Sequence, residues 1–328
     1  MSRPTTFPLP LRLLAERGFP IQQLCTRARV SPTGHLSTDD FFRLWIAAED
    51  MFADPATGLR FGTGAVDGGY GVATTVALHA PDLRRALSVL SRYKRLTCPE
   101  LVEVETSGGE AIVRYRWLEA TSRVPRLLAD TALASLMQLT VRGSAGQIAP
   151  IRVELARRPS NHALLHQHFG CPVLFGAAYN AMIFDQAALD VPFVTAEDGA
   201  FERMLRGLQT RLDQGEGFAL LVGELRVAIA RQLNEGRPPT MAALALRLGL
   251  SGRTLQRRLA ECGTSFQQQL DGVRRTAASR FLAETELDPV AISMLLGFAE
   301  PNSFARAFRG WERTTPLRWR ARQSRPLT

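Results

Sequence analysis

Met241-Ala-Ala-Leu244-Ala-Leu-Arg-Leu248-Gly249-Leu-Ser251-Gly-Arg-Thr-Leu255-Gln-Arg-Arg-Leu259 decides how the rest of the chain is read. Leu244 and Leu248 stand four residues apart and so share one helical face, as do Leu255 and Leu259. Between the pairs, Gly249 suits the left-handed conformation that ends a helix, and Ser251 suits the cap of the next one. A short helix, a tight glycine turn and a second helix with an apolar face make the supersecondary unit that reads DNA.

The same grammar returns after Asp288-Pro289, a cap followed by proline at the first helical position, where the missing N–H costs nothing. Ile292, Ser293 and Leu296 follow, then Gly297-Phe298 at the turn, then Phe304 and Phe308 four apart on the next helix. Leu244-Ala245 and Gly249-Leu250 superpose on Ile292-Ser293 and Gly297-Phe298. Ala245 and Ser293 fall where two helices must cross closely, and Arg257 matches Arg306. Between the units, Ser265-Phe-Gln-Gln268 has the pattern of a capping box. It opens a helix to about Ala283 with Phe266, Leu270, Val273, Ala277, Phe281 and Leu282 on its apolar side. At 1.5 Å per residue that helix spans roughly 27 Å, a length suited to holding two reading helices about one DNA turn, roughly 34 Å, apart. The pattern predicts one chain reading two successive major grooves.

The charge follows the motifs. From Leu225 onward there are 17 arginines and 8 acids, a surplus of +9 that equals the net charge of the whole chain. A charged face is usually only solvated surface; coinciding with two reading helices, this one reads as a phosphate-binding footprint. Lys94 is the single lysine, a bias attributed to base composition. At 328 residues two domains are expected. No apolar run approaches the ~20 residues of a membrane span, and the N-terminus lacks the apolar core of a signal peptide. Cys25, Cys98, Cys171 and Cys262 are scattered, which suits a reducing cytoplasm.

Ahead of the motifs the pattern is mixed. Helices are expected at Leu11–Arg17 and Ile21–Ala28, with Pro32-Thr-Gly34 as a break. Ser37 or Thr38 should cap a longer helix facing inward with Phe41, Phe42, Trp45 and Ile46. Gly58-Leu-Arg-Phe-Gly62 reads as a helical turn before a flexible run, Gly64–Gly71. That run is not a phosphate cradle, because no Gly-Lys-Ser/Thr follows and no strand precedes it. Helices at 72–79 and 81–96 come before alternating segments 101–106 and 111–117 around Ser107-Gly-Gly109, a hairpin. A long helix over 125–141, a strand over 151–155 and a helix over 161–169 follow. Val173–Phe175 and Ala181–Phe184 read as a strand pair across Gly176. Helices first, then a small sheet with helices against it, is an α+β arrangement. Thr195–Gly199 is the expected boundary, with helices over 201–212 and 218–234 before Pro238-Pro239.

His162, His166 and His168 lie on one expected helix, the first two on a common face at a spacing that can bind zinc. No acidic or cysteine ligand accompanies them, and a solvated histidine is the commoner case, so no metal is assigned. No catalytic or dinucleotide signature appears, and neither enzymatic chemistry nor a cofactor is implied. In the reading helices the leucines, phenylalanines and Trp311 are core. Arg253, Gln256 and Arg257 in the first unit, and Asn302, Ser303 and Arg306 in the second, face away and are the candidate base readers. Arginine suits guanine and Asn or Gln suit adenine, whereas Ser303 is the weaker reader. Arg258, Arg274, Arg275, Arg309, Arg313 and Arg318 are candidates for phosphate. Tyr70, Tyr93 and Arg116 are the candidate lining of an effector cavity.

These residues carry a resemblance. Gly-Leu-Ser-x-Arg-Thr-Leu-Gln-Arg-Arg-Leu259, Gly263-Thr-Ser-Phe266, Leu296-Gly-Phe298, Ser303-Phe-Ala-Arg-Ala-Phe308 and Thr315-Pro316 resemble the AraC/XylS family of bacterial transcription regulators, over essentially all of Pro239 to Arg320. Over roughly Leu11 to Phe193, Gly58-Leu-Arg-Phe-Gly62, Leu83-Arg-Arg-Ala-Leu87 and Phe169-Gly-Cys-Pro-Val-x-Phe-Gly176 are similar to the branch with a so-called arabinose-binding sensor, which includes ornithine-responsive regulators. Arabinose itself is not implied. Two departures stand out: Arg313 where the family pattern often has Gly, and Ser293 where Ala is usual.

The resemblance implies a cytoplasmic, one-component transcription regulator, an activator that contacts RNA polymerase and dimerises. Its effector would be an amino acid or another metabolite and its target double-stranded promoter DNA, with no membrane partner. The expected division is an α+β sensing and dimerisation domain over 1–195, linker helices over 196–235, and an all-α tandem helix-turn-helix domain over 236–328. Two rivals are a ligand-independent DNA binder whose first domain only dimerises, and an enzyme fused to this module.

Overall fold

The computed structural model describes residues 7–8, 20–31, 35–69, 71–94, 100–117, 120, 122–211, 217–234 and 236–323. The expected helix at 11–17, the break at 32–34, and Tyr70 and Cys98 lie outside them. The chain forms two compact units, one of Thr5–Trp117 with Val124–Asp213, the other built on Gln214–Thr328.

The first unit is α+β. Phe7–Pro8 (β1) pairs with His35–Leu36 (β2). Helices α1 (Ile21–Ala28), α2 (Thr38–Met51), α3 (Thr57–Asp67), α4 (Val72–Leu78) and α5 (Leu83–Tyr93) follow. Ser37 and Asp40 form a reciprocal capping box at the start of α2. That helix buries Phe41, Phe42, Leu44 and Trp45, while Ile46, expected inside, is 49% exposed. The stripe is instead completed by Ala47 and Ala48, which let neighbouring elements come close.

Strands β3 (Glu100–Ser107) and β4 (Glu110–Trp117) form the expected hairpin. Gly108 and Gly109 both have positive φ, +60° and +81°, as a two-residue turn matched to strand twist requires. On β4 every second residue is buried, from Ala111 through Val113 and Tyr115 to Trp117, and the Trp117 ring meets Phe41 and Phe42 at 5.4 and 5.2 Å. The helices therefore cover that face of the sheet.

The remaining strands, β5 (Arg152–Leu155), β6 (Val173–Phe175) and β7 (Asn180–Asp185), do not pair as expected. The sheet order is β3-β4-β7-β5-β6, with β6 parallel to β5 on the edge and β7 antiparallel to both β4 and β5. Two physical reasons decide this. Helix α7 (His162–Phe169) lies between β5 and β6 in sequence, and a helical crossover returns the chain parallel to its start. Asn180 to Phe184 are buried without alternation, which demands cover on both faces and hence a central place.

Helix α6 (Arg126–Ser144) is the centre of this unit, buried on nearly every side, as a helix apolar all round must be. Its main neighbour is α3, which runs on through Gly64 to Asp67 where a flexible loop was expected. Gly58 and Gly62 are the reason. A Cβ on Gly62 would sit 2.3 Å from the Thr131 carbonyl oxygen, and one on Gly58 would sit 2.8 Å from that of Leu127. Across the same seam the Ser135 hydroxyl donates to the Gly62 carbonyl at 3.0 Å, and Thr131 lies 3.2 Å from that of Gly58. Asp130, on α6, is buried beside Arg157 at 2.8 Å and Arg126 at 3.6 Å. Burial pushes its carboxyl above the ordinary aspartate value, and the two guanidinium groups oppose that rise.

The segment read as linker helices is divided between the units. Helix α8 (Asp198–Arg211) stays with the first unit, where Gln209 accepts hydrogen bonds from Arg92 at 3.0 Å and Tyr93 at 3.3 Å. Helix α9 (Gly217–Asn234) lies in the second unit and packs Leu221, Leu225, Ile229 and Leu233 into its core.

The second unit is all helical: α10 (Met241–Arg247), α11 (Gly252–Glu261), α12 (Phe266–Glu284), α13 (Pro289–Leu295), α14 (Pro301–Glu312) and α15 (Pro316–Gln323). Among the described residues it has two apolar clusters. In the first, α9 packs with Leu244, Leu255 and Leu259 and with Leu270 and Val273 of α12. In the second, Ala278 and Leu282 of the same helix meet Ile292, Leu296, Phe304 and Phe308. One long helix, opened by the Ser265–Gln268 capping box, thus carries both cores.

Candidate nucleic-acid interface

The two helix-turn-helix units close by the same bonds. Gly249 and Gly297 take positive φ, +68° and +65°. The Leu250 amide donates to the Ala245 carbonyl at 2.9 Å and the Phe298 amide to the Ser293 carbonyl at 3.1 Å. This six-residue closure satisfies carbonyls that a helix end leaves open. Ala245 and Ser293, the small side chains expected at a close crossing, are both sealed in the core. Ser293 fits by size, but its hydroxyl is buried without a partner, an expense the usual alanine would avoid.

The caps that aim the second helix of each unit differ. On α11 the Ser251 hydroxyl accepts from the Thr254 amide at 3.1 Å. On α14, Pro301 occupies the first turn and Glu300 makes no side-chain cap. With Leu255 and Leu259 inward, Arg253, Gln256, Arg257 and Arg258 are all exposed on α11. With Phe304 and Phe308 inward, α14 exposes Asn302, Arg306 and Arg309 and half-buries Ser303. The Ser303 hydroxyl sits 3.3 Å from an Arg306 donor, so it orients that guanidinium rather than standing apart. Arg257 is 3.7 Å from Glu261 with its side chain 71% exposed, a contact weak enough to yield to a stronger acceptor.

The arginines assigned to phosphate divide into groups. Arg258, Arg309, Arg313 and Arg318 are exposed. Arg275 is paired with Glu312 at 2.6 Å. Arg274 departs from the expectation: it is half-buried, with Nε on the Leu296 carbonyl at 2.9 Å and Nη2 on that of Gly297 at 2.7 Å. Arg320, which the sequence did not single out, likewise donates to Leu282 at 3.1 Å, a carbonyl of the last turn of α12. An arginine that fills a carbonyl cluster and one that meets phosphate look alike in sequence; only the acceptors around them differ. Arg313 takes the left-handed conformation, φ +57°, at the end of α14. The helix therefore ends as a glycine there would end it, at a cost of roughly 1 kcal/mol for the side chain.

Of the candidate effector residues, Tyr93 and Arg116 make different contacts. Tyr70 lies outside the described residues. Tyr93 is buried at the end of α5, its hydroxyl on Gln209. Arg116 alternates to the sheet face opposite Tyr115 and Trp117, where it meets Glu103 at 3.3 Å and the Tyr179 ring at 5.4 Å. Period-two alternation puts consecutive strand residues on opposite faces, so Arg116 cannot share the buried side of the sheet. His162 and His166 are exposed with ring centroids 6.2 Å apart, and among the described residues no third metal ligand joins them. No helix among the described residues is long and apolar enough to cross a membrane.

Comparison with known proteins joins the two units. Residues 12–193 match the arabinose-binding domain of AraC transcription regulators, N-terminal, and residues 244–322 match a helix-turn-helix domain. The chain is 30% identical to the ornithine utilization regulator of Pseudomonas aeruginosa, covering 94% of this chain and 93% of that one. It is 26% identical to the transcriptional regulator VirS of Mycobacterium tuberculosis, covering 87% and 84%. Among solved structures, the transcriptional regulator CdpR of Pseudomonas aeruginosa aligns over 97% of this chain and all of that one, at 22% identity and a TM-score of 0.46.

Proposed function

This chain belongs to the AraC-type transcription regulators with an arabinose-binding-type N-terminal domain, and from that premise we propose that it reads two successive major grooves of promoter DNA in response to a small metabolite. Its relatives are named as regulators, one of them an HTH-type transcriptional regulator, and the helix-turn-helix match supports DNA as the partner; the two-groove mode, the residues that carry it and the effector are the proposal. A pair of identically closed units, each exposing an arginine-bearing helix face on one shared helix, supports it most strongly. Arg253, Gln256 and Arg257 read one half-site, and Asn302 and Arg306 the other. Arg258, Arg309, Arg313 and Arg318 neutralise phosphate. Selection of bound duplexes from fragmented bacterial DNA tests this directly. Two half-sites about one turn apart are expected, with an affinity that falls steeply with salt, by about 0.9 in log–log slope per phosphate contacted. A single short element, or binding indifferent to sequence, would sink the proposal.

The first unit is the effector domain, and an amino acid or related metabolite is the ligand class to try first, given the relative named for ornithine utilization. A ligand that binds only the folded state adds about 2.7 kcal/mol at one hundred times its Kd. A panel of amino acids that leaves the melting curve of the full chain unmoved argues for the rival in which this unit only pairs two copies.

The regulator acts as an activator in the cytoplasm, works as a dimer and touches RNA polymerase. Residues 281–305 of this arginine-rich unit contain four acids and no base. On α13 they leave Val290 46%, Met294 68% and Leu295 46% exposed, beside exposed Glu286 and Asp288. Phosphate repels such a face, and a basic protein surface suits it. Met294→Ser is therefore expected to leave DNA affinity within about twofold while cutting transcription from the cognate promoter in vitro by about tenfold, as loss of a buried interface anchor of about 1.4 kcal/mol does. Equal transcription by both proteins at saturating DNA occupancy would remove the polymerase contact from this face.

A further inference from the structure

The two turns are alike in their own bonds and different in what holds them. A Cβ on Gly249 would meet nothing within 4 Å, so the first turn is open on that side. A Cβ on Gly297 would meet Leu233 Cδ2 at 3.3 Å, Arg274 Nη2 at 3.6 Å and Pro238 Cα at 3.9 Å. Leu233 belongs to the first cluster and Arg274 to the long helix shared by both. Arg274 spends its fork on the Leu296 and Gly297 carbonyls and lays its guanidinium 4.2 Å from the centroid of the Phe298 ring. Phe298 in turn packs against Phe304, the first core anchor of α14, at 5.6 Å.

We infer that Arg274 is a positioning residue that sets the angle of the second reading helix relative to the first, and so fixes the half-site spacing the protein accepts. The geometry works as a chain of contacts. The guanidinium is planar and its two donors are fixed relative to each other, so two carbonyls bonded to it cannot rotate independently about α12. Those carbonyls belong to the turn that aims α14, and the ring stacked beneath passes the constraint to Phe304. Without the fork, the second unit keeps its own core of Ile292, Leu296, Phe304 and Phe308 but can pivot on the long helix. Two linked readers bind more tightly than either alone only when their separation matches the two sites, so a pivot appears as lost spacing discrimination.

This inference rests on the two-groove reading proposed above. The test uses the full-length protein and a duplex selected by it from randomised DNA, alongside the same duplex with one base pair inserted between the half-sites. Insertion displaces one site by about 3.4 Å and turns it by about 35°. The wild-type protein is expected to lose about tenfold in affinity on insertion, and Arg274→Gln, weakened about tenfold on the original duplex, to lose no more than about threefold. Phe298→Leu leaves the arginine in place, removes the stacked ring and is expected to relax spacing in the same direction, which keeps the inference testable if Arg274→Gln fails to fold. The salt slope is expected to be the same for wild type and Arg274→Gln. A slope smaller by about 0.9 with the insertion penalty intact would make Arg274 a phosphate contact instead. Both variants keeping the full insertion penalty overturns the inference while leaving the two-groove reading standing. A selected duplex with only one recognition element overturns both.

Discussion

Arg257→Ala is expected to weaken binding to the cognate duplex by about 1–3 kcal/mol and to relax sequence preference at one base step, and Arg306→Ala is expected to do the same in the other half-site. Each guanidinium stands on the exposed side of a helix whose opposite side is locked by two fully buried residues, Leu255 and Leu259 in one unit and Phe304 and Phe308 in the other. The backbone is therefore fixed, and truncation should remove the proposed base contact without moving the helix. A bidentate arginine–guanine pair discriminates by about this amount. The two substitutions belong to separate cores, so their effects should add, leaving the double variant weaker by about 2–6 kcal/mol. Arg258→Ala is the control: a phosphate contact lowers affinity on every sequence alike and reduces the salt slope by about one. Titrations against the cognate duplex and against duplexes substituted at each position measure both effects. A footprint and base preference unchanged in the double variant would refute the assignment of the reading faces.

Gly62→Ala is the second large effect, and it falls on the first unit. The added methyl would lie 2.3 Å from the Thr131 carbonyl oxygen, 2.8 Å from the Ala134 Cβ and 3.0 Å from the Ser135 amide nitrogen. Two of these neighbours are backbone of a buried helix and cannot swing aside, so α3 and α6 must part. Overpacking of this kind costs about 3 kcal/mol. Alanine recovers about 1 kcal/mol through its better helix propensity, so the net loss is about 2 kcal/mol. The first unit should melt earlier, with the Ser135 bond to the Gly62 carbonyl lost. Gly207→Ala, on α8 of the same unit, where a Cβ would meet nothing within 4 Å, is the contrast and should not lower stability. An unchanged melting curve for Gly62→Ala would mean that the helices do not approach as closely as this structure has them.

Much of the second unit was legible because its signals are local. Ser251, Ser265 and Asp288 cap the helices they precede, and Gly249 and Gly297 take the left-handed turn. Each of these involves residues within one helical turn of each other. The Gly108-Gly109 hairpin is equally local, and it too is where the alternation placed it. The first unit was harder to read for the converse reason. Gly58 to Gly62 read as a single helical turn and Gly64 onward as a flexible run, because a sequence does not show that a second helix some seventy residues further on presses against Gly58 and Gly62. Val173–Phe175 and Asn180–Asp185 are neighbours in the chain but not in the sheet, since β7 has a better-buried place between β4 and β5.

By itself the sequence determined the caps and glycine turns of the second unit, which residues face inward on its helices, and that all the net charge gathers there. Spacing and charge are properties of the chain, settled by steric and hydrogen-bonding rules that act over a few residues. Tertiary structure alone decided which strands are adjacent, which glycines press against a neighbouring helix, and which arginines stay exposed. Arg274 and Arg257 are chemically the same; one is enclosed by two carbonyls and an aromatic ring, the other stands in solvent. What an arginine can bind depends on the acceptors that folding has already brought to it, and those come from parts of the chain its own neighbours in sequence do not reveal.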